Sequence, residues 1–157
     1  MRVEPTLCYG HPAVSELRHV PLDRGEPGRL LLYSMPGRHE ALDSALAWMT
    51  LEGVTLVACL PSDTEIAEAN EEYLAAIRAR DPRLPQILRS PAGRARGASN
   101  RALARRLSAA IGDGAVVLIH CIYGNARTPA LARAVLRELG YPPGEADDRV
   151  TRAAARR

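Results

Sequence analysis

The sequence predicts an α/β fold, a small parallel sheet covered by helices on both faces. Three observations carry that prediction. Residues 54–60 (VTLVACL) and 115–120 (AVVLIH) are short apolar runs rich in branched side chains, the pattern of strands buried on both faces. Around them lie longer stretches whose apolar residues recur at helical spacing. Strand and helix patterns alternate along the chain, the order of a parallel, helix-covered sheet.

Taken in order, residues 30–33 (LLLY) read as the first strand, stopped by Met35, Pro36 and Gly37. Residues 40–51 place Leu42, Leu46, Ala47 and Met49 at roughly helical spacing and end at Gly53. After the 54–60 strand, Ser62-Asp63-Thr64-Glu65 forms a capping box, Ser first and Glu three later. It opens a helix with Ile66, Tyr73, Leu74 and Ile77 on one face. Residues 81–98 hold three Pro and two Gly and read as irregular, with one short strand near Gln86, Ile87 and Leu88. A helix after Ser99 turns Leu103, Leu107, Ala110 and Ile111 inward and stops at Gly112-Asp113-Gly114. The 115–120 strand leads through a short loop to a helix over 128–139, where Pro129 suits the first turn. Residues 144–156 add a last short helix. With no repeat and no low-complexity linker, residues 1–157 read as one domain.

Composition removes whole classes of chemistry. All 21 basic residues are arginine, and there is no lysine. A Walker-type phosphate loop, a kinase nucleotide site, a Schiff-base aldolase and a pyridoxal enzyme all need an ammonium group. The three cysteines, Cys8, Cys59 and Cys121, form no Cys-x-x-Cys pair, and their odd number fits reduced thiols. His11, His19, His39 and His120 show no zinc-ligand spacing, so neither a metal nor a cofactor is expected. No run approaches about 18 apolar residues. The first twelve residues place Pro, Glu and Gly where a secretion signal needs an apolar centre. A cytoplasmic protein with no membrane partner is the expectation. Charge is split along the chain, net −7 over residues 1–77 and +10 over 78–157.

In parallel sheets, ligands sit beyond the carboxyl ends of the strands. The loop after the 115–120 strand, His120-Cys121-Ile122-Tyr123-Gly124-Asn125-Ala126-Arg127-Thr128, stands there and has the makings of a phosphate cradle. Backbone N–H groups from Ile122 to Arg127 can converge on one oxyanion, helped by the positive end of the following helix. Arg127 offers a bidentate fork to phosphate oxygens. The same field favours a Cys121 thiolate, moving its pKa from about 8.5 to well below 7. A thiolate under a bound phosphate is poised for in-line attack and a phosphocysteine. Gly124 marks an unusual dihedral or a close approach. Thr128 can donate its hydroxyl to the sulfur, and His120 can orient the loop through its backbone.

These residues resemble the cysteine-dependent protein tyrosine and dual-specificity phosphatases. That family's signature is His-Cys, five residues, then Arg and Ser or Thr, with a Gly inside the loop. It is met here at His120, Cys121, Gly124, Arg127 and Thr128. A second Gly often precedes the Arg, and this chain has Ala126 there. The resemblance runs loosely from Leu30 to the end, and residues 1–29 fall outside it. It implies a metal-independent phosphatase acting on a phosphomonoester, carried by a phosphoprotein or by a small metabolite or nucleotide. Phosphate or sulfate is expected to occupy the loop.

The family's general-acid Asp lies on a loop roughly 30 residues before the Cys, where it protonates the leaving oxygen. Residues 88–96 of this chain contain no acid. Asp63, after the neighbouring strand, is the substitute candidate, ahead of Glu65 and Asp81. Its other reading is a helix first-turn acid that favours the dipole. Alternatively no acid is needed: the RNA 5′-triphosphatases of mRNA capping share the cysteine loop and cleave a phosphoanhydride without that Asp. A third reading is a phosphate-binding pseudophosphatase. Nine Arg between residues 78 and 106 suit a polyanionic substrate, with Arg89, Arg94 and Arg96 foremost, or form a solvated face. Residues 74–122 hold no aromatic, which counts against nucleic acid as a dedicated partner. Tyr33, Tyr73 and Tyr123 are the candidate pocket walls, with Tyr73 read as core. Arg38, in the turn after the first strand, can face the site, with a surface role the preferred reading, and Cys59 is an inert core thiol.

Overall fold

A computed structural model of the chain describes residues 17–90 and 96–155. Its elements are β1 (Arg18–Val20), β2 (Arg29–Tyr33), α1 (Leu42–Glu52), β3 (Leu56–Cys59), α2 (Asp63–Ala69) and α3 (Glu71–Arg78). They continue with β4 (Gln86–Arg89), α4 (Arg96–Gly112), β5 (Val116–His120), α5 (Arg127–Glu138) and α6 (Pro143–Ala155). The strands form one sheet in the order β1-β2-β5-β3-β4. β2, β5, β3 and β4 are mutually parallel, as the apolar runs predict, and β1 adds an antiparallel edge against β2. That edge is invisible in sequence: three residues, RHV, with alternating burial give too short a pattern to recognise.

Alternate residues of the central strands feed two separate cores, which is why the strands read as continuously apolar. Leu30, Leu32, Ala58, Val117 and Ile119 pack with Leu107 and Ile111 of α4, Leu131 and Val135 of α5, and Val150 of α6. Leu31, Tyr33, Val57, Cys59 and Leu118 pack on the other face with Leu46 and Met49 of α1, Ile66 of α2 and Tyr73 of α3. In α1 the inward alanine is Ala45, not the predicted Ala47, because Leu42, Ala45, Leu46 and Met49 make the tighter stripe.

The helix predicted beyond Ser62 is two helices. Asn70 ends α2 and caps α3 in one residue, its extended backbone (φ −164°) breaking the run. Its Oδ1 accepts the amides of Glu72 (2.9 Å) and Tyr73 (3.2 Å), while its Nδ2 donates to the Gly37 carbonyl (2.8 Å). The Ser62–Glu65 capping box is present in both directions. No helix among the described residues is long and apolar enough to cross a membrane.

Register aligns the site. Tyr33 is opposite His120, His120 opposite Cys59, and Cys59 opposite Arg89, so four parallel strands end in one row. The turns after them, at residues 34–41, 60–62 and 121–126, meet at that edge.

Candidate active site

The loop from Cys121 to Ala126 leaves the centre of the sheet and enters α5. Cys121 is 3% exposed. Its Sγ accepts a hydrogen bond from the Gly124 amide (3.1 Å) and another from the Thr128 hydroxyl (3.1 Å). Burial pushes the thiol up, but the Thr128 hydroxyl and the amides of Thr128, Gly124 and Ala126 outweigh it, and the net shift is downward. Ala126 occupies the N-cap position of α5 and offers no side-chain acceptor, so the first-turn amides stay directed to the loop. Pro129 has no amide to orphan there.

Gly124 is required twice over. Its φ is +76°, and a Cβ would stand 2.9 Å from the Tyr33 carbonyl oxygen and 3.0 Å from the Ser34 nitrogen. The loop therefore lies directly against the turn after β2. The Met35 amide donates to the Ile122 carbonyl (3.2 Å), closing the same contact.

His120 is fully buried beneath the loop. Its Nδ1 lies 3.2 Å from the Cys121 carbonyl, which can only accept, so that nitrogen carries the proton. Nε2 then accepts from the Tyr73 hydroxyl at 2.8 Å. Burial, with Arg89 and Arg127 nearby, lowers the His120 pKa to about 4, and the ring is neutral. Tyr73 is thus core, as its spacing predicts, and also a hydrogen-bond donor, a role its spacing could not reveal. Burial pushes the Cys59 thiol, beside the Tyr73 hydroxyl, up to about 12. It stays protonated.

Arg127 meets Glu65 across the edge, Nη2 to Oε1 at 2.9 Å and Nη1 to Oε2 at 3.1 Å. This pair occupies one N–H on each terminal nitrogen and leaves three guanidinium N–H groups for an anion. Glu65 does this while its Oε2 also accepts the Ser62 amide at 2.8 Å. Arg127 is the main reason the Glu65 carboxyl is held below its ordinary range. Glu65 is the residue that sequence reasoning underrated. The capping-box position was legible, and the second partner 62 residues away was not.

Asp63 is held by two arginines, Arg89 (2.7 Å) and Arg78 (3.1 Å), and both lower its pKa, Arg89 more. Arg89 also donates to the Pro61 carbonyl at 3.1 Å. Asp81 is engaged by Arg83 and likewise lowered. Tyr123 is half exposed at 45%, with the Arg38 guanidinium 4.2 Å above its ring. Of the two readings for Arg38, the less favoured holds: it is half-buried and faces the loop rather than the surface, because its turn folds back against the loop. Arg94 lies outside the described residues, and for Arg96 only the helical backbone is described. No cluster of metal-ligating side chains occurs among the described residues.

No family model matches the sequence, and no curated protein matches it either. Solved structures do. The kinase-associated phosphatase with its catalytic-site cysteine replaced by serine superposes with a TM-score of 0.73 at 17% identity, over 88% of this chain and 83% of that one. A human tyrosine phosphatase-like serine/threonine/tyrosine-interacting protein gives 0.63 at 18% identity, over 88% and 84%. Tk-PTP in its active form gives 0.59 at 22% identity, over 87% and 84%. By these superpositions this chain has the fold of the dual-specificity and tyrosine phosphatases.

Proposed function

We propose that the chain is a cysteine-dependent phosphatase in which Cys121 is the nucleophile. The observation that carries this reading is the Cys121 sulfur, buried yet bonded by the Gly124 amide and the Thr128 hydroxyl, with its pKa drawn down. Phosphate seated on the amides of Ile122 to Arg127 and on the free edge of Arg127 presents its phosphorus to that sulfur. Sulfur attacks in line, the ester bond breaks, and a phosphocysteine forms. Water then attacks phosphorus, and the S–P electron pair returns to sulfur as Thr128 donates to it. His120 holds the Cys121 carbonyl, fixing the strand end from which the loop departs. No metal or cofactor enters these steps, because arginine and amides supply the positive charge.

The leaving group decides between two substrate readings. A phosphomonoester of a phosphoprotein or metabolite is the first. The second, a phosphoanhydride, is favoured by one observation. Asp63 and Glu65, the acids at this edge, are each bound by arginine and held ionised, and residues 82–112 contain no acid at all. An ionised carboxylate cannot protonate a phenolate or alkoxide, with pKa about 10 or above, but a departing phosphate needs no proton. Asp63 is on this reading a structural anchor for Arg78 and Arg89.

Hydrolysis of p-nitrophenyl phosphate in EDTA tests the function, because nitrophenolate leaves readily without an acid. Activity that vanadate blocks and that Cys121→Ser abolishes supports it. Activity untouched by Cys121→Ser overturns the mechanism. Tight phosphate binding with no hydrolysis of any monoester or anhydride leaves a pseudophosphatase.

A further inference from the structure

Three guanidinium groups stand at the site edge, and two are matched by acids. Arg127 is bound to Glu65 and Arg89 to Asp63. Arg38 differs. Among the described residues no carboxylate pairs with it, and its Nε is buried without a hydrogen-bond partner. The acid nearest in sequence, Glu40, is taken up by the Tyr33 hydroxyl (3.0 Å) and the Trp48 indole (3.3 Å). Leaving a buried charged donor unmatched is costly, and such a group needs an explanation.

The position of Arg38 is built. Its amide donates to the Met35 carbonyl at 3.1 Å, and Met35 is bonded in turn to Ile122 of the loop. Asn70 donates to the Gly37 carbonyl beside it, and a Cβ on Gly37 would lie 2.7 Å from that amide nitrogen. Tyr33 and Trp48, packed edge to face at 4.8 Å, brace the far side of the turn. The guanidinium then rests on Tyr123, two residues from Cys121 in the loop itself. The Ser34 hydroxyl, in the same turn, is also buried without a partner. A cation fixed on the rim of an anion cradle, with no carboxylate to match it, is half of a second anion site.

We propose that Arg38, seated on Tyr123, binds a phosphoryl group bonded directly to the one held in the loop, so that the preferred substrate is a phosphoanhydride. This rests on the phosphatase reading of the loop and names its substrate class. The chemistry joins the two observations. The Cys121 sulfur bonds to the terminal phosphorus as the bond from phosphorus to the bridging oxygen breaks. The bridging oxygen keeps the electron pair and departs on the remaining phosphate, whose second pKa of about 6 lets it leave without a proton. Arg38 neutralises the charge growing on that group, the task a general acid performs for an alcohol or phenol. Water then cleaves the phosphocysteine, returning the pair to sulfur; one water proton stays with the released phosphate and the other passes to solvent.

The test uses the full chain in EDTA. Calorimetric titration of Cys121→Ser with inorganic phosphate and with pyrophosphate should show pyrophosphate bound at least about tenfold tighter, the worth of one charge-assisted fork. Adding Arg38→Ala should remove that preference, and Tyr123→Leu, which takes away the shelf, should reduce it. Arg137→Ala, remote between α4 and α5, should not change it. In turnover, Arg38→Ala should lose about tenfold more kcat/KM on tripolyphosphate than on p-nitrophenyl phosphate. Equal affinity for the two anions, or a preference that survives Arg38→Ala, overturns the subsite while leaving the phosphatase reading intact. Absence of any hydrolysis removes the phosphatase reading, and the titration still decides the subsite. If Arg38→Ala fails to fold, Tyr123→Leu in both assays decides it.

Discussion

Cys121 and His120 are adjacent and both buried, yet different forces set their protonation. For Cys121, hydrogen bonds overcome burial and favour the anion. For His120, burial dominates and keeps the ring neutral. Thr128→Ala removes one of the hydrogen bonds to Sγ, so the thiol pKa should rise. Iodoacetamide alkylation rates followed against pH would show it, and an unmoved midpoint would refute it. Gly124→Ala should cost about 2 to 4 kcal/mol, since it forces a side chain to positive φ and into the Tyr33 backbone. Urea melts of the purified variant measure that. His120 links stability to pH. Its folded pKa of about 4 lies below the ordinary 6.5, so the unfolded chain binds the proton first as pH falls. Its contribution is complete above about pH 6.5 and gone below about 4, a difference of about 3 kcal/mol. His120→Gln should flatten the stability profile between pH 7 and 4.5. A slope equal to wild type would mean other groups carry it.

At the scale of elements, the chain was most legible where periodicity is long. The strands at 54–60 and 115–120 and the helices that became α4 and α5 follow from their patterns, because each buries a face that nothing polar interrupts. β1 and the α2–α3 break were not legible, since one rests on three residues and the other on a single Asn satisfying three groups at once. The same distinction holds in the site. Cys121, Gly124, Arg127 and Thr128 could be read because they lie within eight residues on one loop. The pairing of Glu65 with Arg127, and of Arg38 with Tyr123, spans more than 60 residues and depends on register. Ser62→Ala tests that coupling. Losing the cap should cost about 1 kcal/mol, and by loosening Glu65 it should also lower kcat/KM on an aryl phosphate several-fold. A loss of stability with kcat/KM unchanged would separate the cap from the site. Asn70→Ala should destabilise by a similar amount, about 1 kcal/mol, and raise KM for tripolyphosphate by releasing the Gly37 turn.

For the whole molecule, the division of charge into an acidic first half and a basic second half takes on a structural meaning. Arg83 with Asp43, Arg78 and Arg89 with Asp63, Arg127 with Glu65 and Arg149 with Asp23 all join one half to the other. Within the positive segment at 78–106, Arg78, Arg83 and Arg89 are matched by acids from upstream, and each exposed pair contributes only about 0 to 1 kcal/mol. At the site edge Arg89 and Arg127 are matched by acids and Arg38 is not, so attraction of substrate close to the loop falls to Arg38. Raising salt from 50 to 500 mM should accordingly increase KM for tripolyphosphate several-fold more than KM for p-nitrophenyl phosphate. Equal increases would argue for a diffuse field instead.

The place of β5 in the sheet has a consequence for how the chain is made. It lies between β2 and β3, yet it leaves the ribosome after both of them and after β4. In the finished sheet only β5 joins β1–β2 to β3–β4, so without it the inner edges of β2 and β3 would be left with unpaired N–H and C=O groups. Insertion of the last strand welds them, and the same five residues deliver Cys121 to the row of strand ends. Nascent chains released before residue 116 would be sticky and inert together, and competence to react would appear in a single step with closure of the sheet.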